Sequence, residues 1–300
     1  MEEWRTDITR GLWVGIALIV GIFLLDIGLV WLLINRWAVH LGTFVSMLAL
    51  VASLGLIGLI AYWLFGLVDS GYFLDRNQVI IHWGPNEQII PTGSIERVIT
   101  GEELPGAVRI AGGIWPGHIF GHGEIVGVGP ALFYATVPPR QQLYLVTPGL
   151  TYGISPAERA AFLEALRRRL EMGPTQVVEQ SSRRPGFLAW AIWRNRAGLA
   201  LLGTGLVATL ALTAALCMAY PSLPYQVALH FDAAGVPHRA DPRGEVFILP
   251  LIGFLAFAAN GALGWLVSRR DRVASTLLWS GALVVQALTW LAAVGVLARH

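Results

Sequence analysis

The sequence predicts an α-helical membrane protein with five transmembrane helices and an inserted β-barrel or sandwich domain capped by a C-terminal helix. Five apolar runs, at residues 11–34, 41–68, 197–220, 246–268 and 273–298, each hold at most one charge. Each reaches the roughly 20 residues of helix that a hydrocarbon core requires. Between the second and third runs lie about a hundred residues whose apolar positions come in short alternating stretches, the strand pattern. A composition of 55% hydrophobic and only 13% charged residues is wrong for a soluble globule and right for a bilayer protein.

Taken in order, the first run is too long for a secretory signal and lacks a small-residue cleavage site, so it reads as an uncleaved anchor. Within it, Asp26 is the one ionisable residue deep inside a span. Burying its charge would cost about 2.5–3.5 kcal/mol, so it must face protein, be protonated or have a partner. A neutral carboxyl bonded to a neighbouring backbone group, or to the intramembrane polar residues Asn260 or Gln286, would serve; a proton relay or an assembly contact with another subunit are the functional readings. Pro250 is expected to bend span four.

The domain at 70–172 is read as strands at 71–75, 78–83, 87–90, 94–99, 107–111, 123–127, 131–136 and 141–147, with Gly and Pro marking the breaks. Its closing helix should start at Ser155 as N-cap, with Pro156 and Glu158 completing the signal. Phe162, Leu163, Leu166 and Leu170 form the apolar face of that helix.

Charge sets the orientation. All 21 basic residues are arginine. Nine flank the side holding the N-terminus and the inserted domain, and four flank the other. By the positive-inside rule the inserted domain is cytoplasmic at the cell inner membrane, and the loop 221–245 faces outward. The chain then divides into a transmembrane hairpin (1–69), a cytoplasmic domain (70–172), an interfacial linker (173–196) and a three-helix membrane domain (197–300). In the linker, Arg183, Arg184, Trp190, Trp193, Arg194 and Arg196 combine aromatic and basic residues as a membrane-surface segment does, or as an ordinary aromatic belt does. A net charge of +2 argues against nucleic acid as a partner, leaving the lipid bilayer and a protein partner.

Two clusters could carry chemistry. His118, His122 and Glu124 in a glycine-rich stretch could hold a metal, or be solvated histidines. His230, Asp232, His238 and Asp241 in the outward loop could form a zinc or proton site, or a polar cap on the helix ends. No nucleophile, base and orienting acid stand in a recognisable signature and no phosphate loop is present, so neither an enzyme nor a cofactor is expected.

The stretches Val79-Ile80-Ile81, Ile95-Glu96-Arg97-Val98, Trp115-Pro116-Gly117-His118, Leu132-Phe133-Tyr134-Ala135-Thr136 and Tyr152-Gly153-Ile154-Ser155-Pro156 together resemble the bacterial pleckstrin-homology-like (PH-like) family. That resemblance implies orthogonal sheets with a C-terminal helix, acting as a binding or assembly module. Eight arginines in the domain are matched by about as many acids, which favours protein contact over phosphoinositide binding. Leu223-Pro224, the His230-Phe231 pair and the turn Ala234-Gly235-Val236 resemble the membrane domain of unknown function in SdpI-like immunity proteins. This second resemblance implies toxin protection and coupled signalling; the added domain and hairpin are departures from that pattern.

Overall fold

The computed structural model describes residues 1–183, 195–231 and 237–299. Among these, five helices are long and apolar enough to cross a membrane: α1 (Thr9–Asn35), α2 (Leu41–Val68), α4 (Arg196–Ala219), α5 (Ile248–Val267) and α6 (Arg272–Leu297). In lipid only a helix satisfies its own backbone, so these runs are helical regardless of local propensity. The protein is a multi-pass membrane protein. Polar caps mark three starts: Asp7 Oδ1 accepts from Thr9 N, Asn195 Oδ1 from Gly198 N, and Asp271 Oδ1 from Val273 N and Ala274 N. Pro250 sits in the first turn of α5, directly after the 3-10 turn Arg243–Phe247, where the missing N–H costs least.

Residues 1–26 with 53–185 form one compact unit, and residues 27–52 with 186–300 form another. In the first, two sheets face each other. One runs in the order β1 (Glu2–Arg5), β2 (Ser70–Leu74), β3 (Gln78–Trp83), β4 (Asn86–Pro91), β11 (Ser181–Arg183). The other runs β5 (Arg97–Thr100), β9 (Leu143–Val146), β10 (Thr151–Ile154), β8 (Gly129–Ala135), β7 (His118–Ile125), β6 (Val108–Trp115). No strand is shared, so the barrel is not closed and the sandwich alternative holds. β10 is parallel to β8 and antiparallel to β9, which places it between them.

The helix α3 (Arg159–Met172) buries Phe162, Ala165 and Leu166 among Tyr72, Leu74, Ile81, Leu145 and Ile154. It begins after Ser155, not at it. Ser155 Oγ instead accepts from Thr136 N at 2.7 Å, and Ser155 N donates to the Tyr72 hydroxyl at 2.9 Å. The presumed cap is therefore a strand-end tie. The sandwich also takes strands from outside 70–172, because β1 pairs with β2 and β11 with β4, covering edges that would otherwise stand unpaired.

The same core continues onto the membrane hairpin. Ile60, Leu64 and Leu67 of α2 are buried with the sheet residues, and Leu12 of α1 packs against them. In the second unit α4, α5 and α6 pack together, and the hairpin β12 (Gln226–Phe231) and β13 (Pro237–Pro242) sits on a core of Leu212, Leu216, Leu223, Val227, Val246 and Ala293.

Candidate functional site

Two constellations stand out, one in each unit. In the first unit the turn between β6 and β7 reaches the first turn of α1. Gly117, at φ +88°, and Gly11 leave room for backbone against backbone, and a side-chain carbon on either would collide with the other. Trp115 Nε1 donates to Gly11 O at 2.9 Å. Behind it His118 stacks on Trp115, with ring centroids 4.0 Å apart, and is ringed by Trp63 of α2, Trp83 of β3 and Phe120. The imidazole is fully buried and neither nitrogen finds a hydrogen-bond partner. Burial alone pushes its pKa down to about 4, so it is neutral at physiological pH.

This geometry corrects the metal reading of His118, His122 and Glu124. All three share one face of β7, but a strand advances about 3.3 Å per residue, which spreads them along its length. His122 and Glu124 lie exposed toward the far end while His118 is sealed in the core, and no metal-holding group of three occurs among the described residues. Most glycines of that glycine-rich stretch lie within strands, where Gly112 stands opposite Gly121.

In the second unit Asp241 on β13 is 0% exposed, yet it is a carboxylate. His230 Nδ1 lies 2.8 Å from Oδ2, and Arg239 Nε lies 2.7 Å from Oδ1 without the alignment of a hydrogen bond. Both partners are mostly in solvent, at 62% and 65% side-chain exposure. The pairing follows from register, since His230 and Arg239 face each other across the hairpin. With Nδ1 engaged by a buried carboxylate, the imidazole is held with Nε2 outward, the arrangement in which histidine acts as a base or a ligand. Arg243 lies between the rings of Tyr220 and Tyr225, 4.7 and 4.9 Å from their centroids. Asp232 lies outside the described residues, as does the side chain of His238.

Residues 70–170 match the family model of the bacterial PH domain. A second model, for a domain of unknown function (DUF1648), matches residues 206–254. No curated protein and no solved structure matches the chain. The two matches fall where the two resemblances were read. The buried aromatic cage joins the PH-like domain to the ends of α1 and α2, and the Asp241 site lies in the segment that the second model matches.

The remaining expected residues divide. Asp26 Oδ2 accepts from Ser53 Oγ of α2 at 2.8 Å, so its partner is neither Asn260 nor Gln286. Asn260 donates to Ala256 O in its own helix. Gln286 of α6 is buried and donates to Thr209 Oγ1 of α4 at 2.7 Å and to Gly253 O of α5 at 2.8 Å, clasping three helices. Arg183 is an exposed residue of β11, opposite Glu87, and so belongs to the edge of the five-stranded sheet. Arg196 is an exposed residue at the start of α4. Arg184, Trp190, Trp193 and Arg194 lie outside the described residues. Sequence reasoning missed the Trp63 and Arg243 contacts. Each sits at a span end, and a tryptophan or arginine there is also what an ordinary interfacial belt provides.

Proposed function

We propose that this protein is a non-enzymatic membrane module whose PH-like domain, on the cytoplasmic face of the inner membrane, binds a protein partner and couples that binding to the packing of its own transmembrane hairpin. The observation that carries this reading is the shared core: Trp115 of the β6–β7 turn bonds Gly11 of α1, and Trp63 of α2 joins the same aromatic cluster. A tethered domain would need neither contact. Nine arginines against four favour the cytoplasmic side. The partner surface is the edge of the six-stranded sheet at β6, where Arg109, Ala111 and Ile114 are exposed and the backbone can accept an added strand.

The test is site-specific photocrosslinking in intact membranes, from positions 109, 111 and 114, with Glu171 on α3 as control. A discrete adduct from the β6 positions and none from position 171 is expected. Equal labelling from both faces, or adducts only from position 171, would refute it.

A second reading, immunity or signalling of the SdpI-like kind, or a transport-related role, rests on the Asp241, His230 and Arg239 cluster in the outward loop. Under it His230→Ala or Asp26→Asn abolishes protection of cells from a secreted peptide toxin, while substitutions along β6 leave protection intact. The reverse pattern favours the first reading. An accessory subunit of a larger complex would show as stoichiometric co-purification in mild detergent.

A further inference from the structure

A cavity of about 320 Å³ opens where the PH-like domain meets the ends of α1 and α2. Ile8, just before α1, and Val68, the exposed last residue of α2, line its membrane side. Both helices cross the bilayer from this end, so the cavity lies at the depth of the lipid headgroups. Its polar lining comes from Glu3, Arg5, Thr6, Asp69, Ser70 and His82.

The hydrogen-bond accounting of this lining is one-sided. Ser70 Oγ donates to Leu67 O at 2.6 Å, so in its 2.7 Å contact with Thr6 the threonine hydroxyl must be the donor. Both hydroxyl protons are thereby engaged, and these oxygens offer the cavity acceptor capacity only. The carboxylates of Glu3 and Asp69 add four more acceptor oxygens. Against them stand Arg5, whose Nε is 3.6 Å from Glu3, and His82, whose Nε2 is 3.1 Å from Asp69. An acceptor-rich wall beside one guanidinium fork fits a group carrying both a multidentate N–H donor and an anion.

We propose that this recess binds a phospholipid whose headgroup joins a primary ammonium to a phosphodiester, a phosphatidylethanolamine-type lipid. The three N–H groups of the ammonium go to Glu3, Asp69 and one of the two hydroxyl oxygens, the phosphodiester takes the Arg5 fork, and the acyl chains leave past Ile8 and Val68. A choline headgroup has no N–H to donate. A glycerol headgroup supplies no cation to two carboxylates. This site is independent of the partner reading above.

The test is lipid binding to the full-length protein in detergent, counted by native mass spectrometry with ethanolamine, choline and glycerol phospholipids of identical chains. Ethanolamine lipid should bind about tenfold more tightly than the other two, the effect of one charged hydrogen bond. The Glu3→Gln, Asp69→Asn double variant should lose that preference, while Arg5→Gln weakens ethanolamine and glycerol lipids alike. Both variants should keep the wild-type unfolding midpoint without added lipid, which separates lost binding from lost folding. Preference for the glycerol lipid, or an ethanolamine preference that survives the double variant, would overturn the proposal. So would displacement of the lipid by equimolar soluble glycerophosphoethanolamine, which would assign the recess to a free headgroup.

Discussion

His118 shows how one side chain makes a whole fold pH-sensitive. Its pKa falls from 6.5 to about 4 on burial, so between those values the unfolded chain holds a proton that the folded chain refuses. Stability is therefore complete above pH 6.5 and declines as the pH falls through this window, by roughly 3 kcal/mol at about 1.4 kcal/mol per unit. His118→Phe keeps a ring in the cage and removes both orphaned nitrogens, which should be neutral or stabilising at pH 7. Guanidinium unfolding in nanodiscs, read by tryptophan emission at pH 7 and pH 4.5, should show the variant losing far less stability on acidification than the wild type. An equal loss in both would place the acid sensitivity elsewhere. Asp241 makes the opposite case, a charge kept buried by exposed partners. Removing His230 and Arg239 together leaves that carboxylate uncompensated and should cost about 3–5 kcal/mol, whereas Asp241→Asn, which removes the charge itself, should cost about 1–2 kcal/mol. Thermal unfolding of the two variants side by side checks the order.

Among the elements, the β6–β7 hairpin does the most to connect the parts of the first unit. Its turn meets α1 only because neither Gly11 nor Gly117 carries a side chain. Gly11→Val should lift the turn from the helix, expose Trp115 and accelerate hydrogen exchange along β6 and β7, while leaving exchange in α3 unchanged. Unchanged protection in β6 and β7 would show that the contact is dispensable. Much of this element pattern was legible beforehand. The spans announce themselves because only an unbroken apolar helix is tolerated in lipid, and the strands of 70–154 because one face of each is buried. The start of α3 was misread because Ser155, Pro156 and Glu158 carry a local capping signal that tertiary hydrogen bonds to Thr136 and Tyr72 override. β1 and β11 were missed because strands of four and three residues at a sheet edge have too few positions to show alternation. Of the sites, the pairing of His230 with Asp241 could be guessed from their shared loop, but Asp241's complete burial could not, since local sequence pattern does not fix which side of a short hairpin is covered.

At the scale of the molecule, the chain is a membrane protein whose β sandwich is not an appendage. The first and last strands of its five-stranded sheet lie outside the inserted segment, and its core runs into the ends of two transmembrane helices. Under the proposed coupling, a change in tilt or spacing of α1 and α2 reaches the sheet, and an occupant of the sheet is felt by the helices. The most direct test replaces Cys217 with alanine and places spin labels at exposed Arg10 on α1 and Glu124 on β7, in nanodiscs. Double electron–electron resonance should give one narrow distance distribution, unchanged between detergent and bilayer. A broad distribution, as from a domain swinging on a linker, would contradict the account.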